Sequence, residues 1–171
     1  MEQGTYKIAK VHNKRLKKCI INVILWFLGR GIQSSTRFDE NVKKEIEIYH
    51  EGFRIMFKVW NSEQAMIVEK RQGRFYLLKN MKQEEADIII YFKSMEAALM
   101  LLTGKIGIAQ GYAQHRILLK GDIMLAMPFI RMVNIVEAYL FPRFWVKRIL
   151  KSFPDRSSNS LTIYLGLILG I

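Results

Sequence analysis

From Phe53 onward, apolar and polar residues alternate. Phe53, Ile55, Phe57 and Val59 fall on one side and Arg54, Met56 and Lys58 on the other, the pattern of a half-buried strand. Asn61-Ser62-Glu63 supplies a turn into a second strand, Ala65 to Lys70. Gln72-Gly73 supplies another into a third, Arg74 to Lys79, so the three are predicted to form an antiparallel meander. "ADIIIYF", Ala86 to Phe92, is a denser fourth strand in which Ile88, Ile90 and Phe92 point one way, and its β-branched centre suits an interior position.

Between and around the strands the period changes to that of helices. A short helix is predicted near Val42 to Tyr49, broken by His50-Glu51-Gly52 and preceded by a polar connection, "QSSTRFDEN" from Gln33 to Asn41. Ser94 is placed to cap "MEAALMLLTG", a helix that stops at Gly104. Lys105 to His115 suits a second small helix ahead of a fifth strand, Arg116 to Lys120. Gly121 then permits a sharp turn. Asp122 can accept hydrogen bonds from the free amides of the long apolar helix that begins at Ile123, within which Pro128 is expected to kink or divide the run. A further helix, "RFWVKRILKSF", follows Pro142, and Ser157 to Ser160 link it to an apolar tail, Leu161 to Ile171.

The N-terminal segment reads differently. "CIINVILWFLG", Cys19 to Gly29, follows a basic cluster, the way a secretory signal begins, but Arg30 stands where a small-residue cleavage site belongs. The run is too short to cross a bilayer, which takes about 20 apolar residues. As a helix it places Leu16, Cys19, Ile20, Val23 and Phe27 on one face and Arg15, Lys18 and Asn22 on another. Two placements satisfy that pattern: in a membrane interface with its cations on anionic lipid, or docked on the core of the domain.

Composition supports a packed fold: of 171 residues, half are hydrophobic and three are proline. The net charge of +12 favours anionic partners, and half of it comes from Met1 to Arg30, where seven cations face Glu2 alone. Lys14, Arg15, Lys17 and Lys18, with Trp26 nearby, form one candidate membrane contact. Arg143, Lys147, Arg148 and Lys151, spaced by one helical turn or less and set among Trp145, Ile149 and Phe153, form the other. Cations beside large apolar groups suit a lipid surface better than base edges, so no specific nucleic acid is expected. Cys19 is the single cysteine, which excludes an intrachain disulfide and fits a reducing, cytoplasmic compartment with peripheral membrane contact.

Catalytic patterns are missing. There is no His-Glu-x-x-His, no paired-cysteine motif and no Gly-x-Ser-x-Gly, and "TGKIGIAQG" lacks the first glycine and the Ser/Thr of a P-loop. His12, His50 and His115 lie far apart, and Asp87 and Asp122 have turns and caps as their simpler roles. Neither an enzyme, a cofactor nor a metal is expected.

Three segments in order, "EGFRIMFKV", "ADIIIYFKSMEAALMLLTGK" and "RILLKGD" leading into an apolar helix, resemble the sterol carrier protein type 2, or sterol-binding domain, family over roughly Val42 to Phe153. The first 35 or so residues and the apolar tail have no counterpart in the minimal domain. The resemblance implies an α+β fold, a five-stranded, mostly antiparallel, curved sheet covered by helices and enclosing an apolar tunnel for a lipid. It divides the chain into an N-terminal extension at 1–37, a lipid-binding domain at 38–153, and a linker with tail at 154–171.

The resemblance also implies that Phe57, Ile90, Phe92, Leu99, Leu102, Ile117, Leu119, Met124, Met127 and Ile130 line that tunnel and hold a fatty acid, acyl lipid or sterol-like ligand. Methionines along the helices from Met95 and Ile123 suit guests of varied shape, although the same spacing describes a filled core. Burying about ten methylenes at roughly 0.8 kcal/mol each gives on the order of 8 kcal/mol. Lost ligand freedom opposes this by about 4 kcal/mol or more, leaving an affinity in the micromolar to millimolar range. That suffices for a non-catalytic carrier meeting concentrated membrane lipid. The alternative is an interaction module whose cavity is filled by its own side chains.

Overall fold

A computed structural model describes residues 14–78, 86–140 and Leu165. Five strands form one open mixed sheet: β1 Arg54–Val59, β2 Ala65–Arg71, β3 Arg74–Leu78, β4 Ile88–Phe92 and β5 Ile117–Lys120, in the order β3-β2-β1-β4-β5. The meander β1-β2-β3 is antiparallel, as its turn residues dictate. β4 crosses over to lie parallel to β1, and β5 returns antiparallel beside it. The register sets rungs across the sheet: Met66, Phe57, Ile90 and Leu119 stand side by side, and Phe92 pairs with Ile117.

Among the described residues the sheet is accompanied by the helices α1 Lys14–Phe38, α2 Glu40–Ile46, α3 Met95–Leu102, α4 Ile108–Ala113 and α5 Ile123–Leu140. Their ends follow from local chemistry. Asp39 accepts from the amides of Asn41 and Val42 at 2.8 and 3.2 Å to start α2. The buried Lys70 ammonium ends that helix by donating to the carbonyls of Ile46 and Tyr49 at 3.0 and 2.5 Å, cation against carbonyl pole. Ser94 accepts from Ala97 N at 3.0 Å to open α3, and Asp122 accepts from Met124 N at 2.8 Å to open α5.

The core lies between the helices and the sheet face carrying Ile55, Phe57, Val59, Val68, Phe75, Ile88, Ile90 and Phe92. The other face of β1 was expected to meet water, yet Met56 is buried on it together with Ile67, Ile89 and Tyr91, so the central strands are covered on both sides, as the interior position expected of β4 requires. Their apolar runs are explained by this, since a strand needs polar alternation only where one face meets water.

The N-terminal region differs most from its sequence reading. The expected polar connection at Gln33 to Asn41 is mostly helix: α1 runs on to Phe38, and Ser34, Ser35 and Thr36 are buried. Small side chains permit this, because α1 presses against α5 so closely that a Cβ on Gly31 would come within 2.8 Å of Val136 Cγ1. Ile21, Leu25, Leu28 and Ile32 belong to the main core, so α1 is integral to the packed unit and the expected boundary at 37/38 falls at its last turn.

Pro128 does not divide α5, which is continuous from Ile123 to Leu140. It removes one amide donor near the helix start, while Ala126, Phe129, Met132, Val133 and Val136 are locked into the core on one face. By length and composition α5 is apolar enough to cross a membrane, but here it is a core helix, with more than half of its residues buried. The helix expected after Pro142 and the tail from Leu161, apart from helical, exposed Leu165, lie outside the described residues, as does Lys79 at the expected end of β3.

Candidate lipid-binding site

β4, β5, α4 and the first half of α5 enclose a cavity of about 260 Å³ whose walls are almost entirely hydrocarbon. Ile90, Ile117 and Leu119 come from the inner face of the sheet, Ile108, Ala109 and Tyr112 from α4, and Ile123, Ala126, Met127 and Ile130 from α5. Helical spacing aligns the α5 set on one side, three and four residues apart. The cavity reaches the surface where Tyr112, Ile123 and Met127, each close to half exposed, form an apolar rim.

Two local features hold these walls in place. Gly121, at φ +115, turns the chain from β5 into α5, and a Cβ there would lie 2.6 Å from the carbonyl oxygen of Asp87 on the neighbouring strand end. On the far side of α5, Arg131 makes a two-pronged pair with Glu45 of α2, at 2.8 and 2.7 Å, and Tyr49 donates to the carbonyl of Leu125 at 2.7 Å. Burial and that setting raise the Tyr49 phenol well above its ordinary range, so it stays a donor.

Of the residues implied to line a tunnel, Ile90, Ile117, Leu119, Met127 and Ile130 come together in this cavity. Phe57, Phe92 and Leu102 stand deeper, around a small void of about 10 Å³ that shares Ile90, Ile108 and Ile117 with the cavity. Leu28, Leu101 and Val133 add hydrocarbon around that void, and among the described residues Glu137 is its one ionisable side chain. Leu99 packs at the margin of the core and lines neither space. Met124 is 72 % exposed, beyond the rim.

Sequence reading missed Ile108, Ala109 and Tyr112, because six residues of α4 give too little periodicity to assign a face. It also missed Glu137, which is buried and whose acid is pushed up to about 8 by loss of solvent. The signal was present: a lone carboxylate on the same helical stripe as Met127, Ile130 and Val133.

A second groove of about 520 Å³ lies between α1 and the β2-β3 side of the sheet, bounded by Asn22, Trp26, Arg30, Met66 and Leu77. The Arg30 guanidinium sits 5.9 Å from the Trp26 ring centre. Nearby, α1 turns an apolar stripe outward, with Leu16, Ile20, Val23, Trp26 and Phe27 each at least 40 % exposed. Four of those five belong to or adjoin the face expected to be apolar, yet it is the opposite stripe, Ile21, Leu25, Leu28 and Ile32, that docks.

Among the expected membrane contacts, Lys14 and Arg15 are exposed. Lys17, at 2.5 Å, pairs with Glu96 of α3, which holds that carboxylate below its usual range, while Lys18 is half-buried. Arg143, Lys147, Arg148 and Lys151 lie outside the described residues. Among the described residues, no cluster of His, Cys, Asp and Glu is arranged to hold a metal ion.

No curated protein matches the sequence. Solved structures do: the sterol carrier protein domain 2 of Helicoverpa armigera is 19 % identical, with a TM-score of 0.47, over 80 % of this chain and 93 % of that one. Sterol carrier protein 2 from Yarrowia lipolytica in its apo form is 16 % identical, with a TM-score of 0.46, over 66 % and 88 %. UbiJ-SCP2, a ubiquinone synthesis protein, is 13 % identical, with a TM-score of 0.43, over 72 % and 93 %. The model of the SCP-2 sterol transfer family matches residues 36–134, more than half of the sequence, from the last turn of α1 into α5. The chain therefore belongs to the SCP-2 sterol transfer family, and membership implies the binding or transfer of a lipid or sterol.

Proposed function

We propose that this protein binds a fatty acid, acyl lipid or sterol-like molecule in the cavity between β4, β5, α4 and α5 and exchanges it with an anionic membrane surface, without a chemical step. The observation that carries this reading is an apolar space of about 260 Å³ that opens through an apolar rim. A dry engineered cavity of about 150 Å³ already takes up benzene, and drug-sized ligands occupy from about 300 Å³ upward. This cavity thus suits a slender chain, or a larger guest that projects from the rim.

Membrane contact is supported by the outward stripe of α1, where Val23, Trp26 and Phe27 lie in sequence beyond the cations Lys14, Arg15 and Lys18. An amphipathic surface of that kind partitions shallowly into head groups and is drawn to anionic lipid. We place the protein on the cytoplasmic side, peripheral to the membrane, where exposed Cys19 remains reduced.

Native mass spectrometry of the freshly purified protein tests the reading, together with uptake of a fluorescent fatty acid by the wild type and by Ala109→Trp. Ala109 is an exposed wall residue, so the indole plugs the cavity from its edge without disturbing the core. A co-purified lipid mass, with uptake lost in the variant, is the expected result. A ligand-free mass with no uptake overturns the carrier in favour of an interaction module.

A further inference from the structure

The α5 face that lines the cavity continues past Ile130 through Val133 to Glu137. From Ile123 at the rim to Glu137 is about 21 Å of helix at about 1.5 Å per residue. Glu137 is 7 % exposed, and no side-chain hydrogen bond or ion pair reaches it among the described residues. With Phe57, Phe92, Leu101 and Val133 it lines a void of about 10 Å³, room for one water-sized group.

Ile90, Ile108 and Ile117 form part of the walls of both that void and the larger cavity, which they place side by side. Side chains of this kind can change rotamer without moving the backbone. A carboxyl left without a partner in such surroundings destabilises the fold, and a leucine would satisfy the same helix face at no such cost. A ligand oxygen brought into the void would give the carboxyl its missing hydrogen bond.

We propose that Glu137 recognises the head group of the bound lipid: the cavity takes a molecule with an uncharged hydroxyl or carbonyl oxygen, inserted head first, with its oxygen on the Glu137 carboxyl and its tail toward Tyr112, Ile123 and Met127. This rests on the lipid-binding reading above and narrows it. With its acid pushed up to about 8, the side chain is protonated at neutral pH and both donates and accepts. An anionic head group is disfavoured there, because no cation lines either space among the described residues.

Equilibrium binding of radiolabelled dodecanol, dodecane and dodecanoate at pH 7 tests this on the full chain. The wild type is expected to hold dodecanol about tenfold more tightly than dodecane or dodecanoate, the gain of one buried hydrogen bond. Glu137→Leu, which removes a buried polar group and therefore folds, is expected to lose about that factor for dodecanol while keeping its dodecane affinity. Glu137→Gln, still able to donate and accept, is expected to retain most of the preference. If Glu137→Leu leaves the dodecanol-to-dodecane ratio unchanged, the void serves only a water and the proposal is overturned, as it is if dodecanoate binds best. If the wild type binds none of the three, lipid binding itself fails.

Discussion

The hydroxyl of Tyr139, near the end of α5, donates to the carboxylate of Asp39, one hundred residues earlier, and the pair is buried. Asp39 is also the residue whose other oxygen caps α2, so one carboxylate ties the α1-α2 junction to the far end of the cavity helix. Tyr139→Phe removes a single donor and is expected to cost about 1 to 2 kcal/mol in urea unfolding. Asp39→Ala loses cap and cross-link together and is expected to cost more. Equal stability of Tyr139→Phe and wild type would show that the bond contributes nothing.

Glu137 makes stability depend on pH in an unusual direction. Its acid lies near 4.5 in an unfolded chain and is pushed up to about 8 by burial in the fold. Below pH 4.5 both states hold the proton and stability does not depend on pH through this group. Between about 4.5 and 8 the unfolded chain releases a proton that the fold retains, so stability falls as pH rises, by about 1.4 kcal/mol per unit and roughly 5 kcal/mol in all. Above 8 the loss levels off. Melting curves of Glu137→Gln against wild type over that window should show a flatter profile and a more stable variant at pH 7.5; parallel profiles would assign the slope to other groups.

Gly121 is the hinge on which the cavity wall depends. Any Cβ there meets the Asp87 carbonyl at 2.6 Å and Ile88 Cα at 3.2 Å, both main-chain atoms that cannot turn aside, at a φ that side chains disfavour. Gly121→Ala is expected to destabilise by about 2 kcal/mol or more, read as a lowered urea midpoint.

The outward stripe of α1 predicts a separation of membrane affinity from stability. Val23 and Phe27 are exposed, so Val23→Glu with Phe27→Glu is expected to leave thermal unfolding nearly unchanged. The same double variant is expected to sediment less with vesicles containing phosphatidylserine, several-fold at physiological salt. Undiminished sedimentation would remove α1 from the contact.

Much of this fold is written in short-range pattern. Alternation from Phe53, the turns at Asn61-Ser62-Glu63 and Gln72-Gly73, the Ser94 cap and the Gly121-Asp122 turn each depend on a few neighbouring residues, and each stands where the sequence places it. Ile90, Ile117, Leu119, Met127 and Ile130 were legible as cavity walls for the same reason: the family resemblance placed the elements, and strand and helix periods set their faces. What tertiary structure alone decided is the partner of each face. α1 carries two apolar stripes, Leu16-Ile20-Val23-Phe27 and Ile21-Leu25-Leu28-Ile32, and only the fit of the second, beside Gly29 and Gly31, against β3 and α5 chose which is buried. The parallel pairing of β1 with β4, the burial of Met56 and Ile89 on the second sheet face, and the enclosure of Glu137 arise the same way. Periodicity records the phase of a residue on its own element, whereas burial depends on which distant element arrives opposite it.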